Sequence, residues 1–518
     1  MAVLLRDLAG ATGAPALTDA DGELDWTELD ARVNRWIRLL RAEGLRVGDT
    51  MAVVCGNRRE TFEALLAALH TGVTVVPVNW HLTAPEIAYL LADSESRLVL
   101  TEPAYAPVVD QAVRTAAVRV RQLVTGESDV GDAVAVEPRL AGLAADEPPD
   151  QVCGSTMLYT SGTTGAPKGV RNGLFRAGAP FGRVERLLAY AGHALHVPAR
   201  GAVLLVGPWY HSAQLFFALL PLLRGSRLVL HERFDPQAFL ATVAAHRITA
   251  CHLVPTQFVR LLRLDDAVRA DADVRSLRVV WHGGGPCPVE VKRQMIEWWG
   301  PVVVEYYAAT EAGVVTLIGA EEWLRRPGSV GRPVPPNEVV ILDPDGVALP
   351  PGRPGRVFVR RAGGKTFEYH NAPEKTRDAH LGPGVFTYGE TGHLDEEGYL
   401  YLTGRARDLI ISGGVNIYPA EVQAVLQEHP AVRDAAVTGE PDDEYGERVV
   451  AVVELDPHRL DPAAAPQVLE AFCRRSLAGF KVPRRWRFVA ELPRDGTGKL
   501  RHDVLRELLR PQTTAGRS

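Results

Sequence analysis

Lysine is scarce in this chain, because arginine supplies all but six of its 57 basic residues. Arginine can replace lysine wherever only positive charge matters, so the remaining lysines are expected where a compact, mobile ammonium group is needed. Two of them, Lys168 and Lys499, lie in segments rich in glycine and threonine. Lys292, Lys365 and Lys375 have no comparable context, so Lys168 and Lys499 are the first candidates for a chemical role.

Cysteines and basic clusters are also rare. The five cysteines stand singly, without a C-x-x-C pair, which argues against a zinc site or a disulfide framework. The formal net charge is −6, and no cluster of basic residues is interleaved with aromatic ones. Nucleic acid is therefore not an expected partner.

Long hydrophobic runs are missing too. The most apolar stretch, residues 203–223, is interrupted by prolines and polar side chains, so we expect no membrane span. The first apolar run ends at Arg6 and is too short for the core of a signal peptide. These features favour a cytoplasmic protein.

The length of 518 residues exceeds the roughly 250 to 300 at which a single core stops growing. Short β-branched runs, such as residues 51–55 and 73–78, alternate with helical patterns such as 29–42 and 60–70. This alternation predicts parallel strands joined by crossover helices. After about residue 325, short strands separated by glycine and proline indicate a small β-rich subdomain.

We therefore predict an α/β fold with two domains. Residues 1–405 would form a large layered domain of α/β subdomains plus the β-rich subdomain. Residues 406–518 would form a small α+β domain, since helical and strand patterns alternate there over about 110 residues, a usual domain size.

The segment from Tyr159 to Val170 carries four Ser/Thr hydroxyls, three glycines and Lys168. Glycines let backbone N–H groups approach an anion, hydroxyls donate further hydrogen bonds, and a lysine adds a point charge. The order differs from that of a Walker P-loop. The segment predicts a phosphate-binding loop, with a Ser/Thr/Gly-rich surface linker as the alternative.

This loop resembles the phosphate-binding signature of the adenylate-forming (AMP-binding) superfamily. The sequences of further segments resemble those of its acyl-CoA synthetases. The further segments occur in the family's order: Pro208–His211, Gly283–Pro288, Tyr307–Glu311, Gly389–Glu390, Gly404–Arg405, Ser412–Gly414 and Pro493–Lys499.

The resemblance implies a nucleotide site. Tyr307 offers a flat face for adenine, Thr310 a hydroxyl for the α-phosphate, and Glu311 an oxygen ligand for Mg²⁺. Glu390 stands where the family usually has a ribose-binding aspartate, and Ala308 where it usually has glycine. The full implied set is Thr160, Ser161, Gly162, Thr163, Thr164, Gly165, Lys168, Gly283, Gly284, Gly285, Tyr307, Ala308, Thr310, Glu390 and Arg405.

The resemblance also implies catalytic roles for Lys499, His211, Thr310 and Glu311. Lys499 would reach the carboxylate and the α-phosphate and stabilise charge in the transition state. Arg407 takes the position of the hinge about which a mobile C-terminal domain rotates. Gly413, Gly414 and Lys481 would lie on the CoA side.

A further set would contact the acid: His211, Ser212, Phe216, Gln257, Trp281, His282 and Val314. Phe216 and Trp281 could equally be core residues. Adenylation domains of peptide synthetases usually carry an aspartate near the position of His211, where it pairs with the amine of an amino acid. Its absence favours an acid without an amine. Segments 282–288 and 412–419 resemble those of bacterial fatty-acyl and bulky-acid CoA ligases more than those of aryl-acid ones, which implies a medium- or long-chain fatty acid or a bulky natural-product acid.

The predicted reaction is ATP-dependent activation of a carboxylic acid to acyl-AMP, followed by transfer to CoA. The enzyme would be an AMP-forming acid–thiol ligase that uses ATP and CoA as co-substrates with Mg²⁺. An enzyme that only adenylates, or that loads a carrier protein, is the alternative. A non-catalytic acyl-nucleotide-binding protein is disfavoured because Lys168, Glu311 and Lys499 are all present. A homodimer is left open.

Overall fold

The computed structural model describes residues 7–8, 13–116, 118–160, 167–171, 175–362, 367–405, 408, 410–412, 415–442, 446–477, 479–495 and 498–509. The strands are β1 Pro15–Asp19, β2 Gly22–Asp25, β3 Thr50–Val54, β4 Thr74–Pro77, β5 Ser96–Thr101, β6 Arg121–Val124, β7 Val134–Ala135, β8 Ser155–Thr160, β9 Lys168–Arg171, β10 Ala202–Leu205, β11 Arg227–Leu230, β12 Ala250–Leu253, β13 Val279–His282, β14 Val303–Ala309, β15 Gly313–Gly319, β16 Arg332–Pro333, β17 Asn337–Leu342, β18 Gly355–Arg361, β19 Glu368–Tyr369, β20 His380–Gly382, β21 Val385–Phe386, β22 Glu390–Leu394, β23 Leu400–Arg405, β24 Ile410–Ser412, β25 Val415–Ile417, β26 Val432–Asp442, β27 Gly446–Leu455 and β28 Arg485–Val489.

The helices are α1 Trp26–Ala42, α2 Arg59–Leu69, α3 Ala84–Asp93, α4 Ala106–Thr115, α5 Glu137–Ala141, α6 Gly182–Ala194, α7 Ser212–Leu223, α8 Pro236–Ala245, α9 Pro255–Leu262, α10 Asp266–Asp271, α11 Val289–Trp299, α12 Ala320–Arg325, α13 Pro373–Asp378, α14 Pro419–Gln427, α15 Ala465–Cys473 and α16 His502–Leu509.

Two large sheets form the body of the molecule. The first has the strand order β19-β9-β8-β4-β3-β5-β6-β7, and the second the order β16-β15-β14-β13-β12-β10-β11-β1-β2. The central strands of both sheets pair in parallel, as the alternation of strand and helix patterns predicted. Parallel pairing brings the carboxyl ends of neighbouring strands to one edge, where loops can assemble a site.

The main hydrophobic core lies between these two sheets. It contains buried side chains of helices α1, α2, α6 and α7 together with strands of both sheets. Helices α3 and α4 cover the outer face of the first sheet, and α8, α9 and α11 cover that of the second. Helix α7 is apolar on nearly all sides and runs through this core, so its first residue, Ser212, is held by packing.

Two smaller sheets follow. The third has the order β20-β21-β18-β22-β23, with β17 on β18, and confirms the predicted β-rich subdomain. The fourth has the order β25-β24-β27-β26, with β28 on β27, and helices α14 and α15 pack on it around their own core. The boundary after residue 405 stays a prediction.

All five cysteines are free thiols, and four of them are buried. Within the described part of the chain, no helix is both long and apolar enough to cross a membrane.

Candidate active site

The turn between β14 and β15 carries Thr310 and Glu311. Thr310 Oγ1 donates a hydrogen bond to Ser212 Oγ at 3.0 Å. Because Ser212 is the first residue of α7, this bond joins the turn to the helix that is packed in the main core. The contact fixes the position of two predicted site hydroxyls relative to each other.

Glu311 is part of a cluster of charged and phenolic groups. Its Oε1 accepts a hydrogen bond from the Tyr369 hydroxyl at 2.8 Å. Burial raises the pKa of Glu311, and the Tyr369 hydrogen bond opposes that rise. Lys168 Nζ lies 4.9 Å from the centroid of the Tyr369 ring. The sequence analysis missed Tyr369, because a lone tyrosine in a β-rich segment is equally typical of core.

Tyr307 and Glu390 are hydrogen-bonded partners. The Tyr307 hydroxyl donates to Glu390 Oε2 at 3.0 Å, and the Tyr307 side chain is 8% exposed. Glu390 faces Arg405 in the β22–β23 register, although only the backbone of Arg405 is described. The tyrosine predicted to contact adenine therefore also orients the carboxylate predicted to contact ribose.

We expect Tyr307→Phe to raise the KM for ATP about two- to tenfold with little change in kcat, since one neutral hydrogen bond contributes roughly 0.5 to 1.5 kcal/mol. Nucleotide kinetics in a pyrophosphate-exchange assay measure this. Tyr401→Phe is the matched control, because that hydroxyl donates to Asp395 at 3.4 Å, in the turn that follows the neighbouring strand β22. An unchanged KM for ATP in Tyr307→Phe would contradict the positioning role.

The three glycines after β13 have different structural reasons. A Cβ at Gly283 would lie 2.7 Å from the Tyr306 ring, so the ring lies directly across this residue. Gly284 has a φ of 80°, which favours glycine. A Cβ at Gly285 would meet open space. Packing therefore explains why residue 283 is glycine, and backbone conformation explains why residue 284 is. At Gly285 no neighbour lies within 4 Å of the Cβ position.

The loop before α7 is anchored to the first sheet. Asn57 Nδ2 donates to Gly207 O at 2.9 Å, and Trp209 N donates back to Asn57 Oδ1 at 3.0 Å. The indole N–H of Trp209 donates to Cys55 O at 2.7 Å. These bonds span both sheets and place His211 at the N-terminus of α7, an anchoring that sequence analysis did not anticipate.

His211 is kept neutral by its surroundings. Burial, which the Asp495 carboxylate opposes and the Lys499 ammonium reinforces, lowers the pKa of His211 to about 4. The same ammonium acts to lower the pKa of Glu311. His211 and Glu311 thus both lie within electrostatic reach of Lys499, although Lys499 comes from the last segment of the chain.

The turn that carries Lys499 is held from both sides. Asp495 Oδ1 accepts the Lys499 backbone N–H at 3.0 Å, and Asp495 O accepts that of Gly498 at 2.8 Å. A Cβ at Gly498 would lie 2.3 Å from Thr256 Oγ1, so the turn packs closely on the start of α9. This close approach brings the C-terminal segment against the second sheet.

Two residues predicted to contact the acid lie in the core. Trp281 and His282 have no exposed surface. The Trp281 indole N–H donates to Leu195 O at 2.8 Å and its ring stacks on Phe217, whereas His282 packs against Phe258 on the opposite face of the sheet. Successive strand residues point to opposite faces. His282 therefore lies on the face of the sheet away from the main core and Trp281 is buried within that core, and their contacts with the acid stay predictions.

The other residues assigned to the acid are nearer the site. Ser212, Phe216 and Val314 are half-buried, and Phe216 and Val314 pack on the main core. Gln257 is 7% exposed, and its Oε1 accepts the Val254 N–H at 2.8 Å, which caps α9. Gln257 thus has a structural hydrogen bond, and Phe216 and Val314 supply apolar surface.

The remaining predicted site residues fall into two groups, those that the structure describes and those that it does not. Thr160 ends β8 and pairs with Lys168 on β9. Lys481 Nζ donates to both carboxylate oxygens of Glu421 at 2.6 and 2.7 Å. Outside the described residues lie Ser161, Gly162, Thr163, Thr164, Gly165, Arg407, Gly413 and Gly414.

Comparison with known families agrees with this geometry. A model described as "AMP-binding enzyme" matches residues 5–366, and one described as "AMP-binding enzyme C-terminal domain" matches residues 421–499. The chain belongs to the AMP-binding enzyme family and has the adenylate-forming fold.

Relatives in this family differ in acid and acceptor. The chain is 33% identical to a long-chain-fatty-acid–CoA ligase, FadD13, of Mycobacterium tuberculosis, over 94% of this chain and 93% of that one. It is 35% identical to a feruloyl-CoA synthase of an Amycolatopsis species, over 94% of each chain. The solved amide bond synthetase McbA of Marinactinospora thermotolerans superposes with a TM-score of 0.83 at 27% identity, over 98% of this chain and 99% of that one.

Proposed function

We propose that this enzyme activates a carboxylic acid with ATP to give acyl-AMP and pyrophosphate, and then transfers the acyl group to CoA. One observation carries the proposal. The turn of Lys499, from the end of the chain, packs on the second sheet so that its ammonium acts on both His211 and Glu311.

In the first half-reaction, a carboxylate oxygen of the acid forms a bond to the α-phosphorus of ATP. The bond from that phosphorus to the oxygen bridging to the β-phosphate breaks, and pyrophosphate leaves. Lys499 would stabilise the charge shared by the carboxylate and the α-phosphate, and Thr310 would donate to an α-phosphate oxygen. His211, neutral because its pKa is about 4, would hold the carboxylate without titrating at neutral pH.

Mg²⁺ would accompany the nucleotide. Glu311 supplies a carboxylate beside the predicted phosphate position, and one or two carboxylates plus phosphate oxygens form a typical Mg²⁺ donor set. Among the described residues, no three His, Cys, Asp or Glu side chains are arranged to hold a metal. Phosphates and water would therefore provide the other donors, and the ion would neutralise phosphate charge.

In the second half-reaction, the thiol sulfur of CoA would bond to the acyl carbon, the bond from that carbon to the AMP oxygen would break, and the thiol proton would pass to solvent. Lys481, with Gly413 and Gly414, is assigned to this side by resemblance. We propose that the C-terminal domain rotates about Arg407 between the two half-reactions.

The test is carboxylate-dependent exchange of labelled pyrophosphate into ATP over a panel of acids, with CoA thioester formation followed in parallel. We expect exchange with at least one acid class and a thioester from the same acid. No exchange with any class would contradict adenylation. Exchange without thioester would favour an enzyme that only adenylates or that loads a carrier protein.

A further inference from the structure

A buried chain of polar side chains crosses the core directly below the site. Gln214 of α7 hydrogen-bonds through Nε2 to His252 Nδ1 at 3.0 Å, and His252 Nε2 to the Tyr306 hydroxyl at 2.7 Å. An amide nitrogen only donates, so Nδ1 accepts and Nε2 carries the proton that His252 gives to Tyr306. The three side chains are 3%, 3% and 5% exposed.

Phe217 of α7 packs against this row of hydrogen-bonded side chains. Its ring lies 5.3 Å from that of His252, 5.1 Å from that of Tyr306 and 4.6 Å from that of Trp281. The Trp281 indole is itself fixed to Leu195 O. We call Gln214, Phe217, His252, Trp281 and Tyr306 the partition.

The partition begins immediately below the groups that would bind the carboxylate. Gln214 lies two residues beyond Ser212 on α7, and the Tyr306 ring lies across Gly283. From the turn after β14 into the strand, exposure falls from half-buried Thr310 and Ala308 to nearly buried Tyr306.

The surface that stays accessible above the partition is apolar. Phe216 of α7, and Ala308 and Val314 of the β14–β15 hairpin, are half-buried and pack on the main core. None of them carries a charge. An acid tail that contacts them meets the buried partition within two residues along both α7 and β14.

We propose that the partition closes the acid pocket from below and restricts the enzyme to compact acids with an uncharged tail, aryl or short-chain, and excludes long straight chains. This inference rests on the proposed acid activation and narrows its substrate. It argues against the long-chain fatty acids that were among the leading candidates from the sequence.

The primary test needs no variant. Pyrophosphate exchange is compared for benzoate, cinnamate, hexanoate, dodecanoate and hexadecanoate at matched free concentrations. We expect the compact acids to exceed hexadecanoate at least about tenfold in kcat/KM, because overfilling a rigid packed space is strongly unfavourable. Exchange with hexadecanoate equal to or above that with the compact acids would overturn the proposal.

A second measurement separates failure of this inference from failure of the proposed function. Calorimetry gives the affinities of acyl-sulfamoyl adenosines that carry benzoyl, hexanoyl or hexadecanoyl groups and need no turnover. We expect the hexadecanoyl compound to bind at least about tenfold more weakly. Absence of exchange with every acid would contradict adenylation, whereas equal affinity for all three compounds would overturn the partition.

Variants then test which side chain sets the limit on the length of the acid. Phe217→Ala removes the ring that supports the partition, and we expect it to raise hexadecanoate exchange relative to hexanoate about tenfold. Leu219→Ala is the matched control, because it makes a cavity in the same helix at a residue that is 1% exposed. Tyr306→Phe keeps the ring and should keep the length limit. A Phe217→Ala profile identical to that of Leu219→Ala would refute the assigned wall.

Discussion

Replacing Lys499 by alanine lowers the rate of carboxylate-dependent pyrophosphate exchange about 100- to 1,000-fold, the usual loss when one donor to a developing anion is removed. The physical reason is local. Asp495 and the contact of Gly498 with Thr256 hold the turn in place, and the Lys499 ammonium acts electrostatically on both His211 and Glu311. Exchange kinetics with a responsive acid measure this loss.

The same variant separates the two half-reactions. Thioester formation from supplied acyl-AMP and CoA should stay within about threefold of the parent enzyme, because the phosphorus chemistry is already complete when acyl-AMP is added. This internal comparison also controls for misfolding, which would impair both assays. Equal losses in the two half-reactions would contradict the role assigned to Lys499.

The second large effect concerns Lys292, for which the sequence offered no role. Its side chain has no exposed surface, and Nζ lies 2.6 Å from Glu305 Oε2 and 4.6 Å from the centroid of the Trp323 ring. Burial lowers the pKa of Lys292, and the Glu305 carboxylate opposes that shift. The pair links α11 to β14, the strand that leads to Tyr307 and Thr310.

We expect Lys292→Met to cost about 3 to 5 kcal/mol of unfolding free energy, because it leaves the Glu305 charge buried without a partner. Replacing both residues, in Lys292→Met/Glu305→Leu, should recover most of the loss. Urea unfolding followed by tryptophan fluorescence measures both variants.

Lys481→Met is the matched comparison, since the Lys481–Glu421 pair has the same 2.6 Å separation but its lysine is 23% exposed. An exposed pair contributes at most about 1 kcal/mol. If Lys292→Met lowers the unfolding free energy no more than Lys481→Met does, burial does not increase the contribution of the lysine to stability.

Local pattern predicted much of the architecture. The strand Thr50–Val54 and the helix Trp26–Ala42 lie where the pattern predicted a strand and a helix, because β-branched runs and amphipathic spacing reflect burial directly. In the β-rich subdomain, the strand Leu400–Arg405 begins after a turn. Gly398 has a φ of 82° and belongs to the preceding turn.

The site residues that sequence analysis missed or could not place depend on contacts distant in sequence. Tyr307 and Glu390 are 83 positions apart, and a short motif carries no sign of their hydrogen bond. Trp281 and His282 follow each other on a strand, and only the layers packed on each face decide where each points. Lys292 stands on a helix where a lysine is normally solvated, and Glu305 explains its burial.

The central claim is that a carboxylate oxygen attacks the α-phosphorus of ATP. The most direct measurement uses an acid active in the exchange panel, with both carboxyl oxygens labelled with ¹⁸O, and mass spectrometry of the nucleotide after thioester formation. We expect AMP that carries one ¹⁸O atom, because the bond from the acyl carbon to the transferred oxygen breaks in the second step. Unlabelled AMP, or label in inorganic phosphate beside ADP, would contradict it.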